Sequence, residues 1–98
     1  MKFRYHALAR RELLKAARFY ETKRPGLGDE FLDAISDTIK TVTSAPYMWP
    51  VIRGRMRRRT LTSRFPFSII YTVVEGKVFI LAVAHHSRRE NYWASRVE

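Results

Sequence analysis

The chain has 98 residues, of which 46% are hydrophobic, and 19 Lys and Arg against 9 Asp and Glu give a net charge of +10. This composition predicts one folded domain over residues 1–98 and excludes a disordered chain, while the charge favours a polyanionic partner, either nucleic acid or an acidic protein. The lack of cysteine excludes disulfides and thiolate metal sites, and without an apolar run of about 18 residues or a signal-peptide core we expect a cytoplasmic protein with no membrane span.

The first part of the chain predicts a short strand followed by an amphipathic helix. Residues 1–5 form the strand, with Phe3 and Tyr5 on one face. The helix covers residues 7–21, because apolar residues recur there at helical spacing and form one buried stripe. The stripe consists of Ala9, Leu13, Ala16, Ala17 and Tyr20.

A turn and a second helix follow. Pro25 disfavours helix at Arg24, and Gly26 and Gly28 permit a tight reversal of the chain. The two acids that come next suit the first turn of a helix, where the macrodipole favours anions. This helix ends before Pro46 and carries a stripe made of Phe31, Ala34, Ile35, Ile39 and Val42. The two helices are therefore expected to form an antiparallel hairpin that needs cover on one side.

The second half predicts strands over residues 51–52, 56–62, 67–74 and 77–84. The last two are joined by Glu75 and Gly76, a typical two-residue hairpin turn. The register that this turn sets pairs Tyr71 with Ile80, Ile69 with Ala82, and Ile70 with Leu81 on the opposite face. Because both faces carry apolar residues, part of each is expected to be covered. The simplest fold is α+β, with the helical hairpin packed on a small, mainly antiparallel sheet and a short C-terminal helical turn.

Basic residues are concentrated in the middle of the chain. No acid occurs between Asp37 and Glu75, and the stretch RGRMRRRTLTSR contains six arginines. Alternation along a strand sends Arg57 and Arg59 to one face and Arg58 to the other. Since a sheet interior cannot hold unpaired guanidinium groups, at least one face of this strand is expected to be wet or bound to a partner. The alternative is an edge strand protected by charge against aggregation.

The order of these elements, together with four stretches of sequence, resembles the RelE/ParE superfamily of bacterial toxins. The stretches are RPGLGDEF, SAPYMWPVIRG, RRRTLTSRFPFSIIY and VFILAVAHHSRRENYW. The segments GLGDEF, RFPFSIIY and AVAHHSRRENYW look closest to the ParE-like branch. The resemblance covers nearly the whole chain. It implies the toxin of a type II toxin–antitoxin system, neutralised by a cognate antitoxin that is encoded beside it and binds through a flexible, acidic segment.

The resemblance leaves more than one target open. ParE-like members inhibit DNA gyrase and RelE-like members cut messenger RNA on the ribosome, so gyrase is the first expectation and cleavage the alternative. A third interpretation is a basic nucleic-acid-binding module without toxicity. For target binding we expect the arginines of the basic strand and of the chain end to make the contacts: Arg57, Arg58, Arg59, Arg64, Arg88 and Arg89.

RNA cleavage without a metal would need a base for the ribose 2′-hydroxyl, an acid for the leaving oxygen and cations at the phosphorane. The candidates for these roles are His85, His86, Tyr92, Arg64, Arg88 and Arg89. In the nuclease branch a basic residue usually stands immediately before the apolar pair and tyrosine of the third strand, whereas Ser68 stands there in this chain. No catalytic residue is therefore assigned.

Several of these residues also have structural interpretations. His85 can be a hydrogen-bonded residue at the strand end that continues the alternation of Phe79, Leu81 and Val83. Tyr92 or Trp93 can fold onto the sheet in a last helical turn, and Phe65 and Trp49 can anchor the core or a loop. No spacing of His, Asp and Glu suggests a metal, and there is no glycine-rich phosphate loop, so no cofactor or metal is assigned.

Overall fold

The computed structural model describes residues 1–62 and 64–96, and every predicted helix and strand is present in them. The strand predicted over residues 56–62 ends early, because the chain leaves the sheet at Leu61 and buries that side chain in the core. The elements in chain order are β1 (Phe3–Tyr5), α1 (Ala7–Lys23), α2 (Leu27–Ser44), β2 (Val51–Arg53), β3 (Met56–Thr60), β4 (Phe67–Val74) and β5 (Lys77–His85).

The strands form one sheet in the order β1-β5-β4-β3-β2. It is mainly antiparallel, as predicted, although β1 runs parallel to β5. The hairpin of α1 and α2 packs on one face of the sheet, which confirms the α+β fold. The core between the layers joins the two helical stripes to side chains of β4 and β5, and it contains Ala9, Leu13, Phe31, Ile35, Ile39, Val42, Phe67, Ile69, Tyr71, Val78, Ile80 and Val83.

The two helices approach closely at Gly28. A methyl group on this residue would lie 2.7 Å from the backbone oxygen of Ala17, so glycine alone fits without movement. The Glu21 carboxylate accepts hydrogen bonds from the N–H groups of Gly26 and Gly28 at 3.0 Å each and caps the start of α2. Gly26 has a φ of 88°, which the tight reversal requires. The prediction that both glycines serve the reversal is corrected: Gly28 serves helix packing.

The β4–β5 hairpin begins as predicted and then contains a β-bulge. Both turn residues, Glu75 and Gly76, have positive φ, and the turn sets Tyr71 opposite Ile80. Beyond that pair the register shifts, and Leu81 is the extra residue of β5.

The bulge overturns two predicted pairs. Ile70 lies opposite Ala82 rather than Leu81, and Ile69 lies opposite Val83 rather than Ala82. The shift places Leu81 and Ala82 in the same apolar cluster on the face away from the helices, while Val83 joins the helix-side core.

The face away from the helices is partly covered by the C-terminal segment, residues 86–96. Trp93 is 2% exposed and packs, as expected, on the sheet. Backbone N–H groups of Tyr92, Ala94 and Arg96 each donate to the carbonyl three residues earlier, so the segment forms successive turns. Trp93 belongs to the apolar cluster on this face, together with Met56, Ile70, Phe79, Leu81, Ala82 and Ala84.

Candidate target-binding site

A cavity of about 400 Å³ opens on the face away from the helices, where β3, β4 and β5 meet the C-terminal segment. Arg58 of β3 lines it together with Arg88 and Arg89 of the segment, and one acid, Glu90, lies among them. Within the described residues, neither Arg58 nor Arg89 forms an ion pair. We call this space the basic cavity. Two of its guanidinium groups, those of Arg58 and Arg89, have no acidic partner among the described residues.

A hydrogen-bonded chain of two hydroxyls and an imidazole also lines the basic cavity. The Oγ of Ser68 lies 3.1 Å from the Oγ1 of Thr60 and 3.0 Å from the Nε2 of His86. Thr60 and Ser68 are cross-strand partners, and the backbone N–H of His86 donates to the carbonyl of Pro66 at 2.9 Å. Ser68 is only 3% exposed, so the imidazole of His86 is hydrogen-bonded to a buried hydroxyl.

His85, the other histidine, packs on the helix side of the sheet. Its ring meets the Phe67 ring edge-on at 5.0 Å, and its Nδ1 accepts the Ser87 N–H at 2.9 Å. It is a hydrogen-bonded residue at the strand end, as expected. It shares a face with Val83 and not with Leu81, because the bulge shifts the alternation. That part of the prediction was wrong.

Glu12 of α1 connects the helix to the sheet and to the C-terminal segment. One carboxylate oxygen accepts the Val83 N–H and a guanidinium N–H of Arg96, both at 3.0 Å. The other accepts the Tyr92 hydroxyl at 2.7 Å and lies 3.8 Å from Arg88. The Glu12 side chain is 15% exposed, and that of Arg96 is 11% exposed. We call these five residues the Glu12 cluster.

The cluster also closes an open edge of the sheet. β1 ends opposite Ile80, so among the described residues the rest of β5 has no neighbouring strand on that side. Glu12 binds the Val83 N–H there, and Arg96 donates to the carbonyl of Leu81 at 3.2 Å. Two side chains thus replace the hydrogen bonds of a missing strand, which protects the edge.

Two arginines of the Glu12 cluster lie against the ring of Tyr92. The guanidinium carbons of Arg88 and Arg96 lie 3.9 and 4.9 Å from the ring centre. Burial, followed by the hydrogen bond to Glu12, raises the pKa of Tyr92 above its usual range. The hydroxyl therefore keeps its proton and donates a hydrogen bond to Glu12.

Arg57 and Arg59 lie on the opposite face of β3 from Arg58, as predicted. Arg57 donates to the carbonyls of Tyr47 and Trp49 at 3.0 and 2.6 Å, and Arg59 lies 4.1 Å from the Trp49 ring centre. These two predicted contact residues therefore hold the loop before β2 and do not line the basic cavity.

Arg64 is also remote from the basic cavity. It forms an ion pair with Glu30 at the start of α2, and Arg24 binds the same carboxylate at 3.0 Å. Hydrogen bonds from Arg64 and Arg24 lower the pKa of Glu30. The structure therefore does not bring Arg64 together with the other nuclease candidates, His86, Tyr92 and Arg88.

A second, more apolar space of about 320 Å³ runs between α1 and the end of β5. We call it the α1 groove, and it is lined by Ala16, Phe19, Tyr20, Phe67 and Val83. Phe19 is 55% exposed, so its ring is available to a partner that enters the groove. Arg88 lines both the α1 groove and the basic cavity, so the two spaces adjoin.

Comparison with known families identifies the fold that carries these sites. A family model described as the ParE toxin of the type II toxin–antitoxin system parDE matches residues 3–90. The chain belongs to the ParE toxin family. This family is a branch of the RelE/ParE superfamily, and the resemblance seen in the sequence is confirmed.

A solved structure shares the architecture of this ParE family member. The chromosomal ParDE TA system from P. aeruginosa contains a chain that matches with a TM-score of 0.62 and 21% identity, over 87% of this chain and 95% of that one. At such identity the likeness supports the fold alone. A comparison with curated proteins gave no match.

No helix in residues 1–62 and 64–96 is long and apolar enough to cross a membrane. In the same residues, no three His, Asp or Glu side chains are grouped so that they could hold a metal ion.

Glu12 is the functional residue that the sequence analysis of this ParE family member missed. A sequence feature could have found it. Glu12 follows Ala9 by three residues and precedes Ala16 by four, so it is a charged residue on the apolar stripe of α1. A carboxylate in that position requires a buried partner, although the sequence does not say which one.

Proposed function

We propose that this ParE family member is a toxin that inhibits DNA gyrase by binding it, with the basic cavity as the central contact. The convergence of Arg58, Arg88 and Arg89 on one open cavity is the observation that carries inhibition by binding, and gyrase is named as the target because ParE-like toxins inhibit it. Guanidinium groups bind carboxylates and phosphates through charge-assisted hydrogen bonds, and a concentrated positive charge speeds capture of an acidic partner. Such a toxin acts in the cytoplasm.

The groups that could transfer protons argue for binding over cleavage. The Tyr92 hydroxyl is bonded to Glu12 and has a raised pKa, so it is a poor acid for a leaving oxygen. Ser68 occupies the position where the nuclease branch carries a basic residue. Arg64 forms an ion pair with Glu30 at the start of α2 and does not line the basic cavity. The cavity therefore keeps arginines that can contact a target, but its described lining lacks a suitable acid for the leaving oxygen and one of the cations that cleavage requires.

The α1 groove supports neutralisation by an acidic antitoxin segment. Its apolar lining suits the buried face of an amphipathic segment, and the net charge of +10 suits acidic residues on the other face. Because Arg88 lines the groove and the basic cavity, an antitoxin in the groove would also neutralise part of the target-binding site.

One observation favours the alternative function, ribosome-dependent mRNA cleavage. His86 is held by Ser68 in a cavity that also contains Arg58. An imidazole beside a guanidinium could serve as base and phosphate ligand. In that case His86→Ala would lower the cleavage rate by about 10²-fold or more.

Two assays run in parallel test these functions. Purified toxin is added to a gyrase supercoiling reaction and to a translation reaction in which mRNA ends are mapped. The proposal predicts inhibited supercoiling with intact mRNA. Codon-phased cleavage with normal supercoiling would contradict it and support the alternative, while no effect in either assay would favour a non-toxic nucleic-acid-binding module.

A further inference from the structure

Three large apolar side chains are exposed together at the free edge of the sheet beside β2. Tyr47 is 64% exposed, Met48 68% and Val51 51%, and all three occur within five residues. Arg57 joins them, because its guanidinium carbon lies 5.5 Å from the centre of the Tyr47 ring and its backbone pairs with Val51. We call Tyr47, Met48 and Val51 the β2-edge patch.

Hydrogen bonds from side chains of the sheet fix the backbone of the β2-edge patch. Arg57 donates to the carbonyls of Tyr47 and Trp49 at 3.0 and 2.6 Å, and the Tyr71 hydroxyl donates to the carbonyl of Pro46 at 2.6 Å. Three hydrogen bonds from the sheet thus fix a loop whose apolar side chains point to solvent. Exposed aromatic and Met side chains on a preorganised backbone are typical of the anchors of protein interfaces, since little entropy is lost on binding.

The charge around the patch selects the kind of partner. Arg53 and Arg55 are exposed next to it, and the chain carries no acid between Asp37 and Glu75. The apolar patch matches apolar side chains, and the flanking arginines match carboxylates. A nucleic acid backbone would match the arginines but would leave Met48 and Val51 without apolar cover, so a protein fits better than a nucleic acid.

We infer that the β2-edge patch is a second docking surface, which binds an acidic segment with apolar anchor residues on the protein that the toxin inhibits. The inference rests on the proposed inhibition by binding, but not on the identity of the target. The β2-edge patch supplies the specificity that the basic cavity lacks. Guanidinium groups alone attract any polyanion, whereas buried apolar anchors discriminate one protein surface from another.

Variants at the patch test the inference in living cells. The chain offers a matched pair, since Val51 in the patch and Val74 at the β4–β5 turn are both exposed valines at strand ends. Val51→Ala, Val74→Ala and Met48→Glu are expressed from a titratable promoter, and growth arrest is measured against intracellular toxin concentration. Copurification with the cognate antitoxin and the melting temperature are measured for each variant.

The expected result is that Val51→Ala and Met48→Glu require at least about 10-fold more toxin for arrest, while Val74→Ala behaves as wild type. Antitoxin binding and melting temperature stay unchanged. Arrest at the wild-type concentration by Met48→Glu would overturn the inference, and so would retained arrest with lost antitoxin binding, which would assign the patch to the antitoxin.

Loss of stability and failure of the proposed function can each be distinguished from failure of the inference. If Val51→Ala lowers the melting temperature, Met48→Glu and Tyr47→Ala decide, because both side chains are mostly in solvent. If the wild-type protein itself causes no arrest, the proposed function fails and the inference fails with it. Arrest by wild type and by the patch variants alike would refute the inference only.

Discussion

At the scale of single residues, Glu12 connects α1 to two residues that line the basic cavity, Tyr92 and Arg88. Its carboxylate accepts hydrogen bonds from Val83, Tyr92 and Arg96. It also lies 3.8 Å from Arg88, which lines the basic cavity. The orientation of two residues at the cavity therefore depends on a helix that packs on the other face of the sheet.

We predict that Glu12→Ala destabilises the fold by about 3 kcal/mol, because it leaves the buried charge of Arg96 and the Val83 N–H without a partner. Glu12→Gln should cost less, about 1–2 kcal/mol, since an amide oxygen can still accept hydrogen bonds. Urea unfolding monitored by tryptophan fluorescence measures both. Asp33→Ala, the removal of an exposed acid on α2, is the control and should change stability by less than about 0.5 kcal/mol. Equal midpoints for Glu12→Ala and wild type would refute this role.

The sequence could indicate that Glu12 is unusual but not what it binds. Its place on the apolar stripe is visible from spacing alone. Its partners lie between 71 and 84 residues away, and they meet it only because β1 is short and the C-terminal segment folds back. Single-sequence patterns report local periodicity, so contacts of that range are outside their reach.

At the level of helices and strands, the sequence predicted the elements and most of their bounds to within about two residues, but it did not predict the bulge in β5. The hairpin turn fixed the first pairs correctly. Beyond them, both the predicted and the observed register place apolar residues opposite one another, so hydrophobicity could not distinguish the two. The difference matters for the site, because the shifted alternation puts His85 on the helix side and leaves His86 bonded to Ser68 in the cavity lining.

The contact between the helices gives a prediction with a clear sign. Gly28→Ala should raise helix propensity, yet it would place a methyl group 2.7 Å from the backbone oxygen of Ala17. We expect the clash to dominate and to cost about 1–3 kcal/mol, which lowers the melting temperature by several degrees. Ser36→Ala, at an exposed position of the same helix, is the control and should leave the melting temperature unchanged or slightly higher. A higher melting temperature for Gly28→Ala would show that the helices separate without cost.

At the scale of the whole molecule, the positive charge is divided among surfaces with different roles. Arg58, Arg88 and Arg89 line the basic cavity, Arg57 supports the β2-edge patch, and Arg64 pairs with Glu30 at the helical hairpin. The sequence predicted the excess charge and the alternation along β3. It could not predict which arginines converge, because convergence depends on where the C-terminal segment lies.

If the arginines of the basic cavity bind the target, their removal must weaken inhibition. The toxin concentration that half-inhibits gyrase supercoiling is compared between wild type and the double variant Arg58→Ala/Arg89→Ala. The control is Arg11→Ala/Arg18→Ala on α1, which removes the same charge from exposed positions away from the cavity. We predict that the cavity variant needs at least about 10-fold more toxin and the control less than about 3-fold more. Equal inhibition by the cavity variant and wild type, with unchanged melting temperatures, would show that these arginines do not bind the target.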